Sequence, residues 1–203
     1  MCGTQGFEPG TQILTQIGWR HVETLEPGAQ IYTYLHGLQP IRHVIREDIW
    51  LDPGHCPQSV LPLSVPKNAL GNLDPFLLFP DNAALLLLPP GDGDVEHIAL
   101  IQAADLNQFN GITSVQPLQT SRVHKIQFER EEIIGVANGA LISCPPEFVR
   151  MERFISQPEP TVMPHDVWRL DHEQADAFLA AIELCASQYP TREHTPGASR
   201  QEA

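Results

Sequence analysis

Proline is the residue that most constrains how this chain can fold. The sequence carries 19 prolines and 14 glycines among its 203 residues, and they recur along most of its length. Because proline breaks helices and the central strands of sheets alike, long helices are excluded over most of the chain. The short apolar segments between these turn residues predict an all-β fold.

The strand predictions rest on alternation in residues 30–35 and 122–129 and on short apolar segments between turn residues elsewhere. Residues 122–129 alternate with period two over their whole length, which is the clearest strand pattern in the sequence. We predict that residues 132–137 form its hairpin partner and that Asn138-Gly139 is a turn. Residues 6 to 148 should then form one mainly antiparallel body without a helix longer than about three turns. The other predicted strands are residues 12–15, 30–35, 41–49, 76–79, 84–88 and 95–101.

The C-terminal part of the sequence predicts a connector, a helix and a tail. Asp171 and Gln174 have the spacing of a capping box, which favours a helix over residues 171–188 that packs on the β body. We therefore expect a connector and helix at residues 149–188 and a disordered, polar tail at residues 189–203. The apolar residues at helical spacing are Ala175, Phe178, Leu179, Ile182 and Ala186.

The charge of the chain excludes two classes of binding protein. Lys and Arg number 12 against 25 Asp and Glu, so the formal net charge is −13. General binding to nucleic acid or to an anionic membrane needs clustered positive charge, and we expect neither. The longest apolar run, residues 83–88, is far shorter than the roughly 20 residues that cross a bilayer. The sequence predicts a soluble chain, cytoplasmic by default, with export by another signal left open.

Cysteine and histidine residues leave a metal site open as an alternative. The cysteines do not form a CxxC pair, so zinc-ribbon and thioredoxin-like sites are not predicted, and reduced, mostly buried thiols are expected. A metal site built from His43, Glu47, His55 and Cys56 is conceivable, but solvated or singly bonded histidine is the default and no cofactor is predicted. The four cysteines are Cys2, Cys56, Cys144 and Cys185.

Two stretches near the N-terminus carry a recognisable pattern. Residues 6–15 read Gly-Phe-Glu-Pro-Gly-Thr-Gln-Ile-Leu-Thr, and residues 19–28 end in Val-Glu-Thr-Leu-Glu-Pro-Gly. They resemble the opening of bacterial Hedgehog/intein (Hint) domains, which runs Cys-Phe-x-Pro-Gly-Thr-x-Ile-x-Thr and leads to a Val-Glu-x-Leu-x-Pro-Gly-Asp turn. The resemblance spans residues 6–148 and implies a flattened, horseshoe-like all-β body. Weaker matches follow in the family's order at residues 65–71, 79–85, 124–133 and 138–143.

The resemblance also implies which positions would carry chemistry. Hint domains cut or rearrange the peptide bond before their first residue, with a Cys, Ser or Thr nucleophile at that residue and a His that protonates the amide nitrogen. Here Gly6 stands at the nucleophile's position, Asn82 at that of the His, and Glu131 at that of a second His. Only His124 matches a family histidine. Core hydrogen bonding is the favoured role for it.

These departures predict a degenerate domain that does not process itself and that acts as a binding or structural module. Gly6 has no side chain to attack with, and a neutral amide does not transfer protons near neutral pH. The partner would be a protein or small molecule that the sequence does not identify. Gly6, Asn82 and Glu131 should converge in space if the resemblance holds.

Two other functions stay open. One is an active Hint domain that performs self-cleavage or splicing with atypical residues, and the other is a metal-dependent enzyme on a β scaffold. Cys2 and Cys144 are the thiols that could replace the missing nucleophile. An unstructured terminal thiol and a buried apolar residue are the expected states of these two.

Overall fold

The computed structural model describes residues 5–49, 57, 60–88, 97–146 and 167–188. The strands in this part of the chain are β1 (Gln12–Thr15), β2 (Gly18–His21), β3 (Gln30–Thr33), β4 (Gly37–Pro40), β5 (His43–Ile49), β6 (Leu63–Val65), β7 (Phe76–Leu78), β8 (Ala83–Leu88), β9 (His97–Gln102), β10 (Thr113–Ser114), β11 (Ser121–Gln127), β12 (Glu132–Val136), β13 (Ala140–Cys144) and β14 (Val167–Arg169). The helical elements are turns of 3-10 helix at Val22–Thr24, Ala103–Leu106 and Phe109–Gly111, and the helix α1 (His172–Gln188).

A nine-stranded sheet forms the body of the protein. Its order is β14-β9-β8-β13-β12-β1-β3-β4, and β2 pairs with β1 beside this path. A three-stranded sheet of β10, β6 and β7 and a ribbon of β11 and β5 complete the fold. The strand pairs are antiparallel except for β14 and β9, which run parallel. The predicted all-β, mainly antiparallel body is therefore confirmed.

The predicted hairpin between residues 122–129 and 132–137 is wrong. β11 pairs with β5 along its whole length, from Ser121 opposite Ile49 to Gln127 opposite His43. β12 pairs instead with β13, and the turn at Asn138-Gly139 belongs to that hairpin. Asn138 has a φ of 58° and Gly139 a φ of 152°, the positive values that such a turn needs.

Charge and burial explain the true pairing of β11. Two cross-strand ion pairs hold it to β5, one from Arg122 Nε to Asp48 Oδ1 at 2.7 Å and one from Lys125 Nζ to Glu47 Oε2 at 2.5 Å. β12 is buried at every position and needs strands on both edges, which β13 on one side and β1 and β3 on the other supply. β11 and β5 therefore form a ribbon that carries its ion pairs at the surface, while Val123 and Ile126 of β11 are buried.

Two apolar clusters lie among these sheets. The main core includes Phe7, Ile13, Ile31, Ile126 and Phe128, and it draws residues from most of the elements. A smaller second cluster takes residues from the β8, β9, β12 and β14 strands of the nine-stranded sheet. Its buried members are Ala83, Leu85, Leu100, Ile133 and Val167.

The C-terminal helix begins with the predicted capping box. The Gln174 amide donates to Asp171 Oδ1 at 2.9 Å, and the Asp171 amide donates to Gln174 Oε1 at 3.1 Å. Leu179 is buried in the main core, whereas Phe178 and Ile182 are only half-buried because the helix lies at the surface. The connector over residues 149–166, the side chain of Ala186 and the tail over residues 189–203 lie outside the described part of the chain.

Candidate functional site

The segment that carries Gly6 is fixed by a two-bond bridge to β11. The Phe7 amide donates to the His124 carbonyl at 3.0 Å, and the His124 amide donates to the Phe7 carbonyl at 2.8 Å. The Phe7 ring is buried in the main core directly after Gly6. The position of the Gln5–Gly6 peptide bond is therefore set by backbone pairing and by an aromatic anchor.

Asn82 holds the nitrogen of that same peptide bond. The Gly6 amide donates to Asn82 Oδ1 at 3.1 Å, a buried contact between residues 76 apart in the sequence. The Asn82 backbone is itself fixed, since its amide donates to the Phe79 carbonyl at 3.0 Å and its carbonyl accepts from the Ala103 amide at 2.8 Å. Because a backbone N–H only donates, Asn82 presents its oxygen here and serves as an acceptor.

The backbone at Gly6 is shaped for glycine. Its φ is +130°, a conformation that residues with side chains rarely adopt. A Cβ at this position would lie 3.1 Å from the His124 carbonyl oxygen and 3.2 Å from Lys125 Cγ. A residue with a side-chain nucleophile would therefore meet both backbone strain and crowding.

A cavity of about 90 Å³ opens beside the Gln5–Gly6 bond. Three of its polar side chains, those of Asn82, Gln127 and Ser143, belong to buried residues. The site therefore combines a peptide bond with amide and hydroxyl groups that are largely withdrawn from solvent. The lining residues are Gln5, Gly6, Phe7, Asn82, Lys125, Ile126, Gln127, Ser143, Cys144 and Pro145.

Glu131 lies behind the cavity rather than in its wall. The Ser143 hydroxyl donates to Glu131 Oε1, and the guanidinium of Arg169 donates to the same oxygen. The structure thus brings Gly6 and Asn82 into direct contact, and it bonds Glu131 to Ser143, which lines the same cavity. The carboxylate is an acceptor for two donors.

His124 contributes its backbone to the site. Its side chain is buried, and its Nδ1 has no hydrogen-bond partner within the described residues. Burial lowers the pKa of the imidazole, the positive charges of Arg46 and Arg122 lower it further, and Glu23 opposes the shift. His124 is therefore a neutral core histidine near neutral pH, outside the set of residues that line the cavity.

Cys144 lines the cavity but is poorly suited to act as a nucleophile. Burial raises the pKa of its thiol well above the ordinary range, and the charges of Glu131 and Glu132 raise it further. The thiolate is the reactive form of cysteine, so this environment disfavours attack. Cys144 and Cys185 are both free thiols, whereas Cys2 and Cys56 lie outside the described part of the chain.

The positions considered for a metal do not form a described cluster. Within the described ranges, the structure contains no group of three His, Cys, Asp or Glu residues that could hold a metal ion. The Glu47 carboxylate is bound by Lys125 Nζ at 2.5 Å, and His55 and Cys56 fall outside those ranges. The helix of the described chain is also too short or too polar to cross a membrane.

Sequence reasoning missed Gln127, Ser143 and Arg169. Ser143 and Gln127 lie in strands whose neighbouring residues Ile126 and Cys144 belong both to the core and to the cavity wall, so the strand pattern does not distinguish packing residues from site residues. Arg169 reaches Glu131 from 38 residues away, and no local motif marks it. The sequence marks Ser143 only indirectly, because it is the last residue of the stretch 138–143 that resembles the Hint pattern.

Comparisons with known proteins identify a family, and two distantly similar solved structures are among the matches. The family model described as "Hint domain" matches residues 5–144. An intein-like domain from Clostridium thermocellum is 11% identical, with a TM-score of 0.48, and the match covers 68% of this chain and 96% of that one. A splice-inactive variant of the AceL NrdHF class 3 split intein is 7% identical, with a TM-score of 0.44, and the match covers 71% of this chain and 99% of that one. No curated protein matches the chain. Because the family model covers well over half of the sequence, this chain belongs to the Hint domain family.

Proposed function

We propose that this chain is a degenerate Hint domain that neither cleaves nor splices and that serves as a binding or structural module. The observation that carries the proposal is the hydrogen bond from the Gly6 amide to Asn82 Oδ1, at 3.1 Å. It lies at the peptide bond that an active domain would break, and neither partner supplies the chemistry that the break requires.

Two groups are needed to break that bond by acyl shift. A nucleophile on the side chain of residue 6 must attack the Gln5 carbonyl, and a proton donor must then protonate the departing Gly6 nitrogen. Gly6 has no side chain. Asn82 holds the nitrogen through an acceptor oxygen, and its neutral amide does not release a proton near neutral pH.

The shape of the site supports the same conclusion. The φ of +130° at Gly6 disfavours a side chain, and a Cβ there would lie only 3.1 Å from the His124 carbonyl oxygen. The backbone around position 6 is therefore adapted to glycine. This adds to the absence of a nucleophilic side chain at that position. The module would extend over residues 6–148, with residues 149–188 as connector and helix.

One observation favours a second candidate, a domain that cleaves with atypical residues. Ser143 lines the same cavity as Gly6, and its hydroxyl donates to the Glu131 carboxylate. A carboxylate bound to a hydroxyl is the arrangement of a general base and a nucleophile. Ser143 would then attack the Gln5 carbonyl in place of residue 6 while Glu131 takes its proton. An ester would form at Gln5, and the Gln5–Gly6 bond would break as that proton passes to the Gly6 nitrogen.

Intact mass measurement separates the two candidates. A fusion with a reporter protein upstream of Met1 is incubated with a thiol or with hydroxylamine, and the same fusion with Ser143→Ala serves as the control. We expect both fusions to keep their full mass. Release of the reporter from the native fusion would overturn the proposal, and loss of that release in Ser143→Ala would establish the second candidate.

A further inference from the structure

An ion pair joins two strands that are distant within the nine-stranded sheet. β14 and β12 are separated by β9, β8 and β13, and four strand spacings amount to about 19 Å in a flat sheet. Nevertheless, Arg169 at the end of β14 donates to Glu131, which directly precedes β12. The sheet must therefore curl until these two strands meet.

The second apolar cluster spans the same set of strands. Val167 of β14 and Ile133 of β12 belong to one cluster together with Leu85 and Leu100 from the strands between them. Burial of these residues removes apolar surface from water, which stabilises the arrangement of the strands from β12 to β14. The pair of Arg169 and Glu131 joins the first and the last of these strands.

The chemistry of this pair suits a structural contact. The Glu131 side chain is 15% exposed, and it accepts from both Arg169 and Ser143. Hydrogen bonds between ionised groups are stronger than neutral ones, and a partly buried pair is less screened than an exposed one. Removal of Arg169 would leave a mostly buried carboxylate with the Ser143 hydroxyl as its described partner.

The segment that supplies Arg169 packs against both apolar clusters. We call residues 167–188, which comprise β14 and α1, the C-terminal unit. Ala175 and Leu179 of α1 are buried in the main core, and the Leu170 amide donates to the Leu100 carbonyl at 3.2 Å. Val167 of the same unit belongs to the second cluster. The C-terminal unit thus lies beyond residues 5–144, which match the family, and contacts both clusters.

We propose that Glu131 is the docking residue that fastens the C-terminal unit to the curled sheet, and we call its pair with Arg169 the clasp. The inference goes beyond the proposed function, because it assigns a structural role to a residue that does not line the cavity. The Glu131 carboxylate accepts from the Arg169 guanidinium and from the Ser143 hydroxyl at once, as a carboxylate with several lone pairs can.

Hydrogen–deuterium exchange of the full chain tests the clasp. We compare the native chain with Arg169→Ala and with the charge reversal that combines Glu131→Arg and Arg169→Glu. Arg122→Ala is the matched control, because Arg122 also pairs with a carboxylate, but at an exposed site in the β11–β5 ribbon. We expect Arg169→Ala to speed exchange of the amides of residues 167–170 about five- to tenfold, as local opening becomes easier.

The other variants complete the test. The charge reversal should slow exchange at residues 167–170 again relative to Arg169→Ala, and Arg122→Ala should leave it at the native rate. Native exchange rates at residues 167–170 in Arg169→Ala would overturn the proposal. If Arg169→Ala unfolds the whole chain, Glu131→Gln provides the same comparison, because it removes the charge and keeps an acceptor for Ser143. Release of a reporter in the mass experiment would refute the proposed function while leaving this result unaffected.

Discussion

Gly6 lacks a nucleophilic side chain, and its backbone conformation disfavours one. Its amide donates to Asn82, its φ is +130°, and the His124 carbonyl lies close to where a side chain would begin. Any side chain at this position therefore carries two costs. One comes from the unfavourable backbone conformation and the other from close contact with β11.

Gly6→Ala should destabilise the chain more than Gly10→Ala. Both glycines have positive φ values, +130° and +88°, but a Cβ at Gly10 would have no atom within 4 Å. The Gly10 variant therefore measures backbone strain alone, on the order of 1–2 kcal/mol. We expect a larger fall in the urea midpoint for Gly6→Ala. Equal midpoints would show that β11 adjusts to a Cβ without cost.

Two histidines should give opposite pH dependences of stability. The lowered pKa of His124 means that the unfolded chain binds its proton more readily, so stability is lost as the pH falls from about 6.5 through the folded-state pKa. The hydrogen bond to Asp105 raises the pKa of His172. Its contribution is complete below about 6.5 and is lost as the pH rises through the folded-state pKa.

Urea unfolding between pH 5 and 8 distinguishes these two effects. We expect His124→Gln to flatten the loss of stability on acidification, and His172→Gln to make that loss steeper. The same change of slope in both variants would contradict the assigned environments.

Among the single elements, the C-terminal helix lies where its sequence pattern predicts it. Its apolar residues are less buried than the pattern predicts. The capping box and apolar stripe follow from local spacing, which is why the start and the contact face of the helix agree with the structure. The degree of burial depends on the neighbouring sheet, which local spacing does not report. Phe178, which the stripe places against the β body, is only half-buried.

Leu179→Ala should therefore destabilise the chain more than Phe178→Ala. Leu179 is 7% exposed in the main core, so its truncation should cost about 3 kcal/mol. Leu184 on the same helix is 61% exposed, and Leu184→Ala should change stability by no more than about 0.5 kcal/mol. Urea midpoints check both values. A native midpoint for Leu179→Ala would mean that the helix does not contribute its packing to the folded body.

The pairing of β11 and β12 does not follow from their local sequence patterns. The sequence predicts both strands, β11 from its alternation and β12 as an apolar segment next to a turn. Because β11 and β12 are adjacent in the sequence, the pattern suggests a hairpin between them. The actual partner of β11 is β5, which is distant in the sequence, and β12 has neighbours on both edges, as a fully buried strand requires.

At the scale of the whole molecule, the family resemblance predicts more than the residue patterns do. The approach of Gly6 to Asn82 across 76 residues follows from the order of the matched blocks. Arg169 lies outside the residues that match the family, so the resemblance gives no indication that it reaches Glu131. Long-range contacts made by an added segment depend on how the sheet curls, which strand patterns do not encode.

The central claim is that the Gln5–Gly6 bond is inert because of the residues around it. The most direct test is the mass of the reporter fusion after incubation with thiol, measured for the native chain and for a variant that combines Gly6→Cys, Asn82→His and Glu131→His. We predict a native fusion of full mass and partial, thiol-dependent release from the variant, limited by the strain at position 6. Release of the reporter from the native fusion would contradict the claim.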